Sequence, residues 1–444
     1  MNRDLRTLAD TRFDLLVIGA GIYGAAIAWD ASQRGLSVAV IDRGDFGGGT
    51  SGNSAKTVHG GVRALQSGNL AELRSFVRER RALCRIAPHL VDPLPFVVPT
   101  YRTLKRSRLA MRLGFGVYDL LSRDRNETLD PTKHLPPSRL LSRQECLRLN
   151  PVIAPDDVTG GVFWHDCQMY NADRVTLSFI MSAVDRGAIA ANYLDAIDWL
   201  HEGEQIAGVT IEDRAGPGTF PVRARLVINA AGPWSRELAT KLPRPLPTGH
   251  ATGLSMAMNL VTRPVTDGYA LSGVTHGRFL FAVPWRDVSI VGTSHDPFDG
   301  HADSPPVTRD HVTAFLQDVN VAFPRAKLNL ADVRLVHRGL LPATDSQGHT
   351  LSTTSQVRDH RQDGVSGLMS VVGVRYTTAR GTAQRAVDTA FRILGHTPPP
   401  CRSAVTPLVG GDIEDYAQFL HDATTDPRLS DVTTLRRLAR SYGS

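Results

Sequence analysis

The chain of 444 residues is 42% hydrophobic and 21% charged, a globular composition that excludes a disordered polymer. Its 50 basic and 44 acidic side chains leave a net charge of +6, too little for a dedicated nucleic-acid binder. Cys84, Cys146, Cys167 and Cys401 form no CxxC pair, and the polar N-terminus has no apolar signal-peptide run. With no stretch near the roughly 20 apolar residues of a membrane span, a cytoplasmic protein in a reducing compartment is expected.

The first predicted element is a buried parallel strand, the apolar run Phe13-Asp14-Leu15-Leu16-Val17-Ile18. It enters Gly19-Ala20-Gly21-Ile22-Tyr23-Gly24, then a helical stretch ending near Gly35. A second apolar run, Ser37-Val38-Ala39-Val40-Ile41, ends on Asp42, 23 residues after the first glycine. In such a β-α-β frame Gly19 permits the tight turn, Gly21 lets a pyrophosphate approach and Gly24 lets helix pack on strand. The helix N-terminus offers free N–H groups to phosphates, and Asp42 is placed to accept from a ribose. Dinucleotide binding follows. Residues 47–63 form a long glycine- and hydroxyl-rich loop where an NAD domain would continue with another β-α unit. Such a loop suits a permanently held cofactor.

A helix is predicted over 70–86. Residues 101–125 interleave Arg102, Lys105, Arg106, Arg108, Arg112, Arg123 and Arg125 with Leu104, Leu109, Met111, Leu113, Phe115, Val117, Leu120 and Leu121. This basic amphipathic pattern fits an anionic membrane surface and equally a helix packed on its own domain. Residues 63–125 carry 13 basic and 5 acidic side chains, so the net positive charge is local. Further on, a helix runs from Asn171 to Arg186-Gly187, and short strands fill 188–228. An antiparallel sheet is expected over 250–300 and a strand over Leu368 to Val372. Helices begin near Thr377-Thr378 and within 412–441.

The segment from Gly19 to Arg63 resembles the start of the FAD-dependent glycerol-3-phosphate dehydrogenase family, within the D-amino-acid-oxidase-like flavoproteins. The likeness continues through Ala87-Pro88-His89-Leu90, residues 226–234, Phe281-Ala282-Val283-Pro284-Trp285, Val291-Gly292-Thr293-Ser294 and residues 371–380. It implies an α/β fold: an FAD-binding Rossmann-like domain of glutathione-reductase/D-amino-acid-oxidase type, an antiparallel-sheet substrate domain and a short C-terminal helical segment. The implied division is FAD-binding parts at 1–92, 161–245 and 346–395, and a helical insertion at 93–160. The substrate sheet then takes 246–345, and a truncated helical segment takes 396–444, since the family continues further.

The resemblance implies FAD held by Gly19, Gly21, Gly24, Asp42, Thr50, Ser51, Ser54, Lys56, Gly60, Gly61, Ala231, Gly232, Trp234, Gly373, Thr377 and Thr378. A helix starting at the two threonines would aim its dipole at the N1–C2=O end of the flavin. On the substrate side Arg63 and Arg358 match phosphate-site arginines, and Arg375 stands where the family has lysine. His59 and His337 complete the catalytic set, His59 as base or as a group that positions its loop. Ala64 replaces the family's tyrosine, Leu341 its arginine and Ser255 its histidine. Each lost charge-assisted hydrogen bond costs about 1.5–3 kcal/mol of anion binding. His165 and His295 have no such placement and are expected to be structural. No spacing of His, Asp or Glu suggests a metal.

The implied reaction is oxidation of a secondary alcohol next to an anionic group by hydride transfer to flavin N5. Glycerol-3-phosphate, giving dihydroxyacetone phosphate, or a larger anionic analogue is the substrate, with electrons passing to quinone or another acceptor. Two alternatives stay open: an amine or amino-acid oxidase on the same fold, and a catalytically silent flavin-binding protein. A peripheral position on the inner face of the cytoplasmic membrane, through residues 101–125, and a homodimer are the partner states considered.

Overall fold

The computed structural model describes residues 2–65, 67–242, 246, 253–303, 307–425 and 431–444. The expected first strand forms as Arg12–Ile18, paired in parallel with Val38–Ile41 on one side and Thr219–Asn229 on the other. From Leu15 its side chains alternate: Leu15 and Val17 enter the helix-covered core, while Leu16 and Ile18 enter the core on the opposite face, which Phe13 at the strand start also joins. Both faces are apolar because both are covered, which is why the run reads as continuous rather than alternating.

The first sheet runs in the order Gln356–Asp359, Leu368–Val372, Thr219–Asn229, Arg12–Ile18, Val38–Ile41, Ile189–Ala191. Helices Ile22–Gln33, Ala172–Val184 and Ala379–Ile393 cover one face. The helix Ile22–Gln33 buries Ala25, Ala26, Ala28 and Ala31, small residues that allow close approach of its neighbours. The hairpin Leu194–Glu202 with Gln205–Asp213 extends the other face and closes a second core around Trp199 and Val222.

Among the described residues the second sheet has nine strands, mostly antiparallel, with Val333–Ala343, Gly253–Thr262, Val288–Phe298, Arg278–Trp285 and Ala270–Thr275 in succession. It continues through Val91–Tyr101 and Val158–Met169. This corrects the expected helical insertion at 93–160. Val91–Tyr101 and Val158–Met169 pair from Val91↔Met169 to Tyr101↔Val158, so both boundaries of that insertion fall inside strands of the substrate sheet. The first strand was hidden by Pro93, Pro95 and Pro99. Its neighbour Ala270–Thr275 meets it only at Phe96 and Val97, so the prolines withhold no needed donor on that side. Between them lie the helices Arg108–Leu121 and Arg143–Leu149. The boundary at 245 lies outside the described residues. Two short helices, Tyr416–Thr424 and Val432–Tyr442, end the chain.

The cysteines, far apart in sequence, do not all stay apart: Cys84 and Cys167 bring their thiol sulfurs to 3.4 Å as buried, unbridged neighbours. No helix of the described residues is long and apolar enough to cross a membrane.

Candidate active site

A cavity of about 1610 Å3 opens between the C-terminal ends of the parallel strands and the second sheet. That exceeds the roughly 300–1,000 Å3 of a drug-sized site and suits a dinucleotide with a small molecule beside it. Gly19 turns the chain with φ +95°. A Cβ on Gly24 would stand 1.8 Å from the Gly19 carbonyl oxygen, so only glycine lets the helix start this close to the strand. Gly21 caps that helix with no side chain of its own, leaving the N-terminus facing the cavity. Ser51 Oγ reaches across to accept from the Ile22 N–H at 3.0 Å. Asp42 Oδ2 accepts from the Ala20 N–H at 2.7 Å and Oδ1 from the Gly44 N–H at 2.9 Å. Burial pushes the Asp42 carboxyl above the usual carboxylate range, against these two bonds.

Of the residues expected to hold FAD, Gly19, Gly21, Asp42, Thr50, Ser51, Ser54, Ala231, Gly232, Trp234 and Gly373 line the cavity. Thr50 Oγ1 donates to the Leu340 carbonyl at 3.1 Å and pins the loop to the second sheet. At the far end Trp234 Nε1 donates to Asp303 Oδ1 at 2.7 Å, and Arg43, paired with the same carboxylate, stacks 5.3 Å over the indole. The sequence pointed to neither Arg43 nor Asp303, because the clamp joins segments 260 residues apart. Tyr23 was also missed. Its hydroxyl donates to the Arg375 carbonyl at 2.8 Å and accepts from the Val374 and Arg375 N–H groups. Gly373 is required beneath it, since a Cβ there would sit 2.1 Å from the Tyr23 ring.

Other expected residues serve the frame. Lys56 is buried, its Nζ donates to the Gly52 carbonyl at 2.8 Å, and it lies 4.9 Å from the Trp285 ring centre. Burial lowers its pKa, and the amine stays within its own loop, outside the cavity lining. Gly60 makes room for a buried network: its N–H and Arg80 Nη1 both donate to Asp166 Oδ1, at 2.8 and 2.6 Å. Arg80 also donates to the Tyr118 hydroxyl at 2.8 Å. Gly61, at φ +83°, packs on Phe76. Thr377 Oγ1 accepts from the His59 N–H at 3.2 Å, and Thr378, the N-cap of Ala379–Ile393, makes no side-chain cap. Both threonines stand outside the lining, whereas the adjacent Tyr376 is in it.

The five residues expected in catalysis separate. Arg375 lines the cavity, pairs with Glu72 and lies 5.1 Å from the Phe76 ring centre. Arg63 sits on the short turn Val62–Leu65 over the Phe281 ring at 5.9 Å, with no carboxylate partner among the described residues. Burial and then Arg375 pull its pKa down from the ordinary arginine value. His59 Nδ1 lies 3.3 Å from Asp166 Oδ2, and neither His59 nor Arg63 is among the lining residues. Arg358 is a correction: from the edge strand Gln356–Asp359 its guanidinium forks onto Asp363 in the following turn, away from the lining. His337 is also outside it, buried against Trp285 with rings 5.9 Å apart, and burial and then Lys56 hold it at about 4.

The replacements divide as well. Leu341 lines the cavity, and Ser255 lies opposite it in register. Ala64 is buried in the apolar cluster of Leu73, Phe96 and Phe115. His295, expected to be structural, lines the cavity.

The family model for FAD-dependent oxidoreductases (DAO) matches residues 14–389. The chain belongs to this family. As an FAD-dependent oxidoreductase it takes FAD as cofactor, and the glycine cradle, open helix end and Asp42 fit that group. It is 31% identical to a glycerol-3-phosphate dehydrogenase of Synechocystis, over 92% of this chain and 75% of that one. Aerobic glycerol-3-phosphate dehydrogenase of Staphylococcus aureus is 28% identical, over 99% of this chain and 79% of the relative. The solved glycerol-3-phosphate dehydrogenase of Bacillus halodurans, complexed with FAD, superposes with TM-score 0.79 at 27% identity. It covers all of this chain, which spans 78% of that one. Glycine oxidase of Bacillus cereus, at 16% identity and TM-score 0.58, shares the fold alone.

Proposed function

We propose that this FAD-dependent oxidoreductase oxidises the secondary alcohol of glycerol-3-phosphate to dihydroxyacetone phosphate. The observation that carries the reading is Arg375 on the cavity wall, with Arg63 beside it and, among the described residues, without a carboxylate partner. Two neighbouring guanidiniums, one of them on the cavity wall, call for an anion, and their planar forks match a phosphate. The names of the relatives supply the alcohol. When bound, FAD is the two-electron acceptor of the reaction. Gly19, Gly21, Asp42, Thr50, Ser51, Ser54, Ala231, Gly232, Trp234 and Gly373 hold it. Arg63 and Arg375 fix the substrate's anionic end. His59, tied at Nδ1 to Asp166 and through its N–H to Thr377, holds its loop against the helix start. Its Nε2 is the atom left to take the hydroxyl proton.

The helix Arg108–Leu121 supports delivery of electrons to a quinone at a membrane surface. It buries Phe115 and Tyr118 and turns Leu109, Leu113 and Leu120 outward, 66%, 63% and 67% exposed, beside Leu104 at 89%. Arg102, Lys105, Arg108, Arg112 and Arg123 are exposed around them. Arg125 belongs to the interior, donating to Asp119 at 2.7 Å. A helix serving only its own core would not leave three leucines in water, next to a fourth on the preceding turn, within a ring of cations.

The test is anaerobic titration of the yellow holoenzyme. Glycerol-3-phosphate should bleach the flavin at stoichiometric reductant. Bleaching by amines or amino acids, with none by glycerol-3-phosphate, would overturn the proposal in favour of the oxidase reading.

A further inference from the structure

Arg375 precedes the turn Tyr376–Thr378 with an extended backbone, φ −134° and ψ 131°, and lines the cavity. Its guanidinium is held from helix Leu70–Ile86: Glu72 pairs with it, and Phe76, one helical turn on and so on the same face, lies 5.1 Å away. The backbone that aims this side chain is held from a different helix.

Tyr23 sits in the first turn of helix Ile22–Gln33, just behind the Gly21 cap, and also lines the cavity. A phenol hydroxyl has one proton and two lone pairs. The proton goes to the Arg375 carbonyl at 2.8 Å, and the lone pairs take the N–H groups of Val374 and Arg375 at 3.1 and 3.0 Å. Both peptide groups that flank the Arg375 Cα are therefore bonded to one oxygen, which fixes the two soft dihedrals of that residue together. Ser355 Oγ, at 2.9 Å, is a fourth neighbour and competes with the turn for the same hydroxyl. Thr378 Oγ1 lies farther from the Arg375 carbonyl, at 3.4 Å. The ring is committed as well, since the turn packs on it at Gly373. The helix start that carries Tyr23 is the one whose N–H groups face the space for the cofactor phosphates. One side chain thus spans from the cofactor cradle to the arginine of the anion site, 352 residues apart in sequence.

We propose that Tyr23 is a positioning residue for the substrate: its hydroxyl sets the backbone of Arg375 and, through it, the place of the anion-binding guanidinium relative to the cofactor frame. This deepens the reading of Arg375 as a holder of the substrate's anionic end and rests on it. The hydroxyl passes no proton to the substrate and forms no bond with it. Removing the oxygen alone takes this partner from the amides of Val374 and Arg375 and lets the turn carry its arginine out of line. Misplacing a substrate-holding group by about 1 Å is enough to cost about a hundred-fold.

Tyr23→Phe tests this, because it keeps the ring on Gly373 while Tyr376 still anchors the turn through the Ala172 carbonyl at 2.9 Å. Calorimetry of the oxidised holoenzyme, which needs no turnover, reads the binding of dihydroxyacetone phosphate and of inorganic phosphate. Both should bind about ten-fold more weakly to Tyr23→Phe with its FAD retained. In turnover the loss should fall on KM for glycerol-3-phosphate more than on kcat. Arg375→Ala should weaken binding further, and adding Tyr23→Phe to it should change nothing more, because the hydroxyl acts only through that arginine. Hydrogen exchange should find the amides of residues 374 and 375 protected in the wild-type holoenzyme and exposed in Tyr23→Phe. Unchanged affinity in Tyr23→Phe, additive effects in the double variant, or unprotected amides in the wild type overturns the proposal. Loss of FAD from Tyr23→Phe overturns it too, since the hydroxyl would then serve the cofactor rather than the arginine. If glycerol-3-phosphate bleaches the flavin while the two effects add, only this inference fails. If neither phosphate compound binds the wild type, the functional reading fails with it.

Discussion

Arg63 and Arg358 are both arginines of the resemblance, and their surroundings give them different work. Arg358 spends its charge on Asp363 through a two-pronged contact, so a passing anion finds it neutralised. Among the described residues Arg63 has the Phe281 ring and a neighbouring cation, Arg375, and no carboxylate. A guanidinium held without a counter-ion is costly until an anion arrives, which is the arrangement of a binding residue. Arg63→Ala is expected to raise KM for glycerol-3-phosphate ten- to a hundred-fold, the worth of one charge-assisted bond at about 1.5–3 kcal/mol. Arg358→Ala should change KM less than three-fold by the same steady-state measurement, since it lies about 0.6 kcal/mol or less from neutrality at the site. Equal effects of the two substitutions would remove the distinction. Sequence alone placed them alike because it shows a residue type and not its partner.

Among the elements, the cofactor frame was legible and the strand Val91–Tyr101 was not. Gly19, Gly21, Gly24 and Asp42 act within one strand–turn–helix–strand unit, so spacing along the chain is spacing in space. Val91–Tyr101 earned its pairing from Val158–Met169, a partner 57 or more residues distant, and its three prolines spoke against a strand locally. The basic helix Arg108–Leu121 was left between two readings by its pattern. What the fold adds is the direction of Leu109, Leu113 and Leu120, outward rather than toward Trp164 and Leu94. Flotation should therefore carry the protein up with vesicles containing anionic lipid and not with neutral ones. Replacing Leu109, Leu113 and Leu120 together by serine should abolish flotation while flavin reduction by substrate in solution is retained. Flotation unchanged by both lipid charge and the triple substitution would return this helix to the role of a solvated flank.

At the scale of the molecule, the two sheets meet around the cavity and bury histidines that must stay neutral. His89 is fully buried, and burial, then Arg174 and Lys133, lower it from 6.5 to about 4. His337 is lowered to the same value. A histidine whose folded pKa lies below its unfolded one binds fewer protons when folded between those values. Stability therefore falls as pH drops from 6.5 toward 4, by about 2 kcal/mol per histidine between pH 7 and 5. Urea unfolding followed by circular dichroism should show that loss, and His89→Gln should make it smaller by about that amount. A pH response identical in the variant would mean that His89 is not held neutral by the fold.

The sequence by itself determined the FAD frame, the α/β class and the basic character of the 63–125 segment, because each is written in short-range pattern or composition. Only the tertiary structure decided which cations are free and which are spent, that Lys56 serves its loop, that Tyr23 ties the first helix to the Gly373 turn, and that His295 faces the cavity. Those facts depend on what lies opposite a side chain. The neighbour comes from hundreds of residues away, through pairings of sheets that local pattern does not encode.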